Sequence, residues 1–307
     1  MNRSVSSLRF LLLHAVLLLT LLFTGCGSES SASRPPEFDR REVLIPSAPG
    51  ESLLGNELLS LDISNQNLGY LTASNLSSEK RMHLQVTDPN ASTCSYFIEP
   101  DTSAVIPFSG GDGTYYLIGY QQASGSRYAA LFSHSLDIQL DNEFLPFLYP
   151  NQYVFFTPDT EACLLAQQLA EKETEDLSIL ENIYEYVISH ISYDYDKAET
   201  VEAGYLPDVD ETLSSGTGIC FDYAALTAAM LRACDIPCKL QIGYTGDIKH
   251  AWIDVYLQET GWINQIIYFE EDTWKRMDPT FASGADSAKD MQEYIEDPAN
   301  YTVQFTR

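Results

Sequence analysis

Hydrophobic and polar positions follow two different periods along this chain. Between about Leu44 and Leu148 they alternate in short runs: Leu58–Ile63, Met82–Val86, Tyr96–Ile98, Tyr115–Tyr120 and Tyr128–Phe132. Turn residues separate the runs, at Asp88-Pro89-Asn90, Gly110-Gly111-Asp112-Gly113 and Ser124-Gly125. A period of two, rich in Tyr, Ile and Val, predicts short strands stacked as an all-β sandwich over 45–150. After Pro158 the period lengthens. Asp159 is placed to cap a helix carrying Cys163, Ala166, Gln167 and Leu169. A second helix follows, with Leu177, Leu180, Ile183, Val187 and Ile191 at steps of three and four. The acidic stretch Glu171 to Asp176 between them reads as solvated.

The first residues form a third pattern. Arg3 and Arg9 precede the apolar run Phe10 to Phe23, whose 14 residues fall short of the ~20 that a spanning helix needs. This reads as a secretory signal. Thr24 and Gly25 lead to Cys26, which resembles the bacterial lipoprotein signal, where the cysteine is lipidated and becomes the mature N-terminus; Phe23 stands where Leu is usual. An ordinary cleaved signal and an uncleaved anchor are the alternatives. The expected organisation is a signal over 1–25, a tether rich in Ser and Pro over 26–44, and an extracytoplasmic, lipid-anchored remainder.

Composition narrows the function. The 307 residues carry 44 acids and 17 bases, a formal charge of -27. Removing 1–25 takes two bases and no acid, leaving 15 bases against 44 acids, or -29. With no basic block, nucleic-acid binding and docking on anionic lipid through charge are excluded. Hydrophobic residues are 45% and charged ones 20%, which describes a folded chain. Six cysteines are too few for a disulfide-built scaffold.

One constellation carries chemistry. The small-residue turn Ser214 to Gly218 leads through Ile219 to Cys220 and a run of helix formers, Phe221 to Arg232. Phe221, Ala224 or Ala225, Ala228 and Leu231 would form one buried face. Cys220 thus sits at a helix N-terminus, where unpaired N–H groups and the helix dipole favour a thiolate. The next candidate for a base is His250, 30 residues on, in a run that alternates like a strand. It is placed to take the thiol proton and later protonate a leaving amine. Its orienting acceptor is expected at Asp278. Asp254 lies about 13 Å down the same strand, and Asp222 does not share a helix face with Cys220. The plain alternatives are a buried helix cysteine and a satisfied strand histidine.

These residues resemble the transglutaminase-like superfamily. The resemblance rests on Gly218-Ile219-Cys220, Asp222-Tyr223-Ala224, Ala229 to Arg232, Ile236-Pro237, Gly243-Tyr244, His250-Ala251-Trp252, Val255-Tyr256 and Asp278-Pro279-Thr280, in that order. It spans roughly Leu177 to Ala282. It implies an α+β fold of papain-like type over 151–307, with a cysteine-bearing helix packed on an antiparallel sheet. It also implies thiol acyl transfer on peptide or protein amides, by Cys220 as nucleophile, His250 as base and acid, and Asp278 as orienting group, with no cofactor and no metal. Asp235 stands where the family often has Gly; Asp tolerates a left-handed backbone better than most residues. A catalytically silent binding or assembly module of the same fold is the alternative function.

Other signals weigh less. His83 and His134 are isolated, and His190 is placed to meet carbonyls at its helix end. Asp194 and Asp196 open like a calcium loop, but Tyr205 occupies the twelfth position and the glycine is missing, so the loop is rejected. Cys94, Cys163, Cys234 and Cys238 remain, and Cys234 and Cys238 flank Asp235-Ile236-Pro237 closely enough to approach each other. A zinc site lacks the histidine spacing. Acid runs at Asp208, Asp210 and Glu211 and at Glu270 to Asp272 would, if they rimmed the site, attract lysine-bearing substrates; solvated loop surface is their plain reading.

Overall fold

The computed structural model describes residues 42–264, 267–270, 273–276 and 300–307. The expected signal, the tether up to residue 41, Cys26 and Asp278 lie outside the described residues. The described residues fall in one compact unit.

The alternating runs form eight strands: β1 (Leu53–Gly55), β2 (Leu59–Asp62), β3 (Tyr70–Asn75), β4 (Met82–Thr87), β5 (Thr93–Ile98), β6 (Ser103–Pro107), β7 (Gly113–Ser124) and β8 (Arg127–Ile138). They make two antiparallel sheets, ordered β1-β2-β3-β6 and β5-β4-β7-β8. The period of two decides which side chains face in. Met82, Leu84 and Val86 of β4 and Cys94, Tyr96 and Ile98 of β5 are buried with Leu59, Leu61, Leu71, Ala73 and Ile106 of the other sheet. The intervening His83 and Phe97 face outward and are cross-strand partners.

The remainder builds a second core from helices α1 (Glu161–Ala170), α2 (Asp176–His190), α3 (Tyr195–Thr200), α4 (Val209–Ser215) and α5 (Cys220–Arg232). Short strands β9 (Ser192–Tyr193) and β10 (Thr217–Gly218) pair in parallel. An antiparallel sheet, ordered β13-β12-β11-β16, joins β11 (Cys238–Thr245), β12 (Ile248–Leu257), β13 (Gly261–Ile263) and β16 (Tyr301–Thr306). A separate hairpin pairs β14 (Ile267–Glu270) with β15 (Thr273–Arg276). The architecture is α+β, as the resemblance implies.

Three local expectations change. Helix α5 is buried all round from Asp222 to Arg232 rather than on one face, because α1, α2 and α4 and strands β11 and β12 all pack on it. Asp159 does not cap α1. Thr160 takes that position, and the Asp210 carboxylate of α4 accepts from the first N–H groups, Glu161 N at 3.1 Å and Ala162 N at 3.0 Å. Ser214 and Ser215 belong to α4, so the turn before the cysteine starts at Gly216, which is left-handed at φ 66°.

The end of α5 explains Asp235. Ile236 N donates to Leu231 O and Asp235 N to Arg232 O, the paired bonds of a Schellman cap, and Asp235 adopts φ 60°. Arg232 ties α5 to β11, to the end of β16 and to the segment that follows the sandwich. Its buried guanidinium donates to the main-chain oxygens of Cys238, Arg307 and Tyr149. Burial pushes its pKa down to about 10.

Candidate active site

Cys220 is the first residue of α5, after an extended Ile219 (ψ 176°). Main-chain N–H groups in the first turn of a helix have no intrahelical partner, so the thiol sits at the positive end of the dipole. Cys220 is partly exposed, whereas Cys94, Cys163, Cys234 and Cys238 are buried, and all five are free thiols. Burial pushes the Cys163 thiol up to about 12 and the Cys238 thiol higher still, which leaves them inert. The proximity of Cys234 and Cys238 in sequence does not become a disulfide.

A buried carboxylate fixes the start of that helix. Asp222, 0% exposed, accepts from Ile219 N at 2.8 Å and from the Tyr205 hydroxyl at 2.5 Å, and pairs with Lys197 Nζ at 2.8 Å. Lys197 also donates to the Tyr205 oxygen at 2.8 Å. Burial opposes the Lys197 charge, but these hydrogen bonds outweigh it and raise its pKa above the ordinary lysine value. Burial, then the bond to Asp222, pushes the Tyr205 phenol up to about 12. Gly218 is needed here, since a Cβ would stand 2.7 Å from Asp222 Cβ. Asp222 therefore positions α5 and the segment carrying Lys197 and Tyr205, and its carboxylate is committed.

His250 lies on β12 opposite Gly243 of β11 and is 5% exposed. Its ring runs nearly parallel to Trp252, with centroids 6.2 Å apart. At Gly243 the β16 backbone comes so close that a Cβ would fall 1.9 Å from Thr302 O. The rival acids and base are accounted for. Asp254 accepts from Gln241 Nε2 at 2.6 Å. His190 is exposed and hydrogen bonds Tyr186 O through Nδ1 at 2.8 Å. Asp194 caps α3, accepting from Lys197 N. Asp208 caps α4 and Asp210 caps α1, so these two acids serve helix ends rather than a substrate rim.

Cys220 and His250 line one cavity of about 710 Å³. Phe221, Tyr205 and Tyr153 contribute to it, and so do Arg81, Phe97 and Glu99 of the sandwich. The alternation of the sandwich strands held no sign of this second wall, because it arises only when the outward face of β5 meets the helical half. Among the described residues, no group of His, Cys, Asp and Glu is placed to hold a metal ion. Among the same residues, no helix is long and apolar enough to cross a membrane.

Residues 164–265 match the transglutaminase-like superfamily. The matched segment includes Cys220 and His250 and ends before Asp278. Over 65 residues the chain is 37% identical to UPF0252 protein MJ1282 of Methanocaldococcus jannaschii, a stretch covering 20% of this chain and 18% of that relative. Among solved structures, a candidate cysteine protease from Cytophaga hutchinsonii is 14% identical with a TM-score of 0.39, covering 78% of this chain and 79% of the other. The periplasmic domain of TgpA from Pseudomonas aeruginosa is 14% identical with a TM-score of 0.36, covering 82% and 81%. Red sea bream transglutaminase is 12% identical with a TM-score of 0.27, covering 69% and 48%. The transglutaminase-like segment thus coincides with the helical core and the β11–β12 strands that hold the two candidate residues, and the sandwich lies outside it.

Proposed function

We propose that the protein is an extracytoplasmic thiol-dependent acyl-transfer enzyme of transglutaminase-like type, acting on peptide or protein amides and held at the membrane by lipid on Cys26. The observation that carries the reading is the shared cavity: a cysteine at a helix N-terminus and a buried histidine on the adjoining sheet open onto one space.

The chemistry follows from those two groups. His250 takes the thiol proton, and the Cys220 sulfur attacks the amide carbonyl. The C–O π electrons move to oxygen, giving a tetrahedral oxyanion to which the Cys220 backbone N–H would donate. The oxyanion collapses and the C–N bond breaks, while the amine leaves with the proton returned by His250. His250 then takes a proton from water or an amine, which attacks the thioester; the C–S bond breaks, giving the acid or a new amide and returning the Cys220 thiol with that proton. Asp278 is assigned to orient His250 on its family position.

The test is amide turnover by purified protein and its Cys220→Ala variant. The proposal expects release of amine by the first and none by the second. Equal release by both would refute it. For the anchor, Cys26→Ser should abolish labelling by a metabolic fatty acid; retained labelling would remove that assignment.

A further inference from the structure

We infer that the β-sandwich is the selective wall of this cleft, and that the cleft takes a peptide carrying a large apolar side chain. The inference rests on the acyl-transfer reading and names its substrate class.

The wall is fixed, not a spacer. Gln152 Nε2 donates to Phe97 O at 2.6 Å, Tyr153 Oη donates to Ser95 O at 3.0 Å, and Gln152 N donates to Val105 O at 3.1 Å. Residues between the two cores therefore fasten the edge strands β5 and β6. On the far side, Ser92 and Ser109 hydroxyls donate to main-chain oxygens of Gln304 and Thr306.

Phe97 is the partly buried aromatic of that wall. It faces away from the sandwich core, and its ring is held between neighbours: Arg81 Cζ stands 4.6 Å from the ring centroid and the His83 ring stacks at 4.8 Å. Arg81 Nε lies 2.6 Å from Glu99 Oε1, as an ion pair without hydrogen-bond alignment, so the cation beside Phe97 is neutralised. Glu202 and Lys249 also line the cavity. These four charged side chains are two of each sign, in a protein whose formal charge is -27.

The opposite side offers solvent-exposed apolar side chains to the same cavity. Val201 is 37% exposed, Leu206 39% and Ile248 67%. Exposed apolar groups gathered around one concavity mark a binding site, and about 710 Å³ falls within the range of small-ligand pockets. A charge set with no net sign favours neither a lysine nor an acid, and apolar groups from the sandwich and from the helical half favour an apolar side chain.

The test uses Cys220→Ala protein, which binds without acylating, and fluorescein-labelled peptide amides Ala-Ala-X-Ala-Ala with X as Phe, Leu, Lys or Asp. Fluorescence anisotropy should give Kd values at least tenfold lower for Phe and Leu than for Lys and Asp. Adding Phe97→Ala should reduce that preference below threefold, while Phe97→Leu should retain most of it; a circular dichroism spectrum matching the parent shows that each variant folds. Equal affinities, no binding, a preference for Lys or Asp, or a preference that survives Phe97→Ala would overturn the inference. If the unmodified protein lacks amide turnover while the apolar preference stands, the acyl-transfer reading fails and the subsite does not.

Discussion

Tyr205 donates its phenolic hydrogen to the carboxylate of Asp222 at 2.5 Å, from a segment 17 residues upstream. Lys197 closes the triangle with contacts to both. Replacing Asp222 with Ala would leave the Tyr205 hydroxyl and Ile219 N without their acceptor and Lys197 without its counter-ion, and should destabilise the fold by about 3 kcal/mol. Urea unfolding should show a lower midpoint with an unchanged slope. An unaltered midpoint would show that the triangle contributes nothing to stability.

Arg232 should be as costly to lose. Changing it to Met keeps much of the stem but removes donors from three main-chain oxygens, those of Cys238, Arg307 and Tyr149. A loss on the order of 3 kcal/mol follows from leaving the Cys238 and Tyr149 oxygens without this donor, while Arg307 O keeps its bond from Leu240 N. Far-ultraviolet circular dichroism and tyrosine fluorescence should both report the lower midpoint.

Acid should weaken the sandwich face behind Phe97. Burial, then the charge of Arg81, lowers the His83 pKa below 6.5. The unfolded chain then binds the proton more readily, so stability present above 6.5 is lost as pH falls through that value toward the folded one. His83→Phe, which does not titrate, should lose less stability than the parent between pH 7 and pH 5, as read by thermal melts at each pH. Parallel curves would contradict the assignment.

Much of this was legible in sequence and some was not. Local period placed the strands and the two helices α1 and α2, because burial on one face repeats at a fixed step. Cys220 and His250 were legible because each sits beside its own local signal, a glycine-rich turn into a helix and an alternating strand. Arg232, Tyr205 and Lys197 gave no such signal. Their roles come from partners brought near only by folding, as Tyr149 lies 83 residues from Arg232. The acids Asp208 and Asp210 read as surface charge, because a cap for a distant helix, as Asp210 is for α1, has no local spacing to betray it.

Native thiol chemistry should be selective. Of the five described cysteines only Cys220 is not buried. Brief iodoacetamide treatment of the folded protein should alkylate Cys220 alone among these five, and all five after denaturation. Comparable labelling of Cys94 or Cys163 in the folded state would show that their strand and helix open readily.

The most direct measure of the central claim is the rate at which an ester acyl donor acylates Cys220, followed by mass spectrometry in the parent and in His250→Ala. General-base assistance typically contributes 10²–10⁴-fold. The account predicts acylation mapped to Cys220 and a loss of at least about 100-fold at pH 7 in the variant. Equal rates in the two proteins, or acyl groups found on other residues, would contradict the pairing of Cys220 with His250.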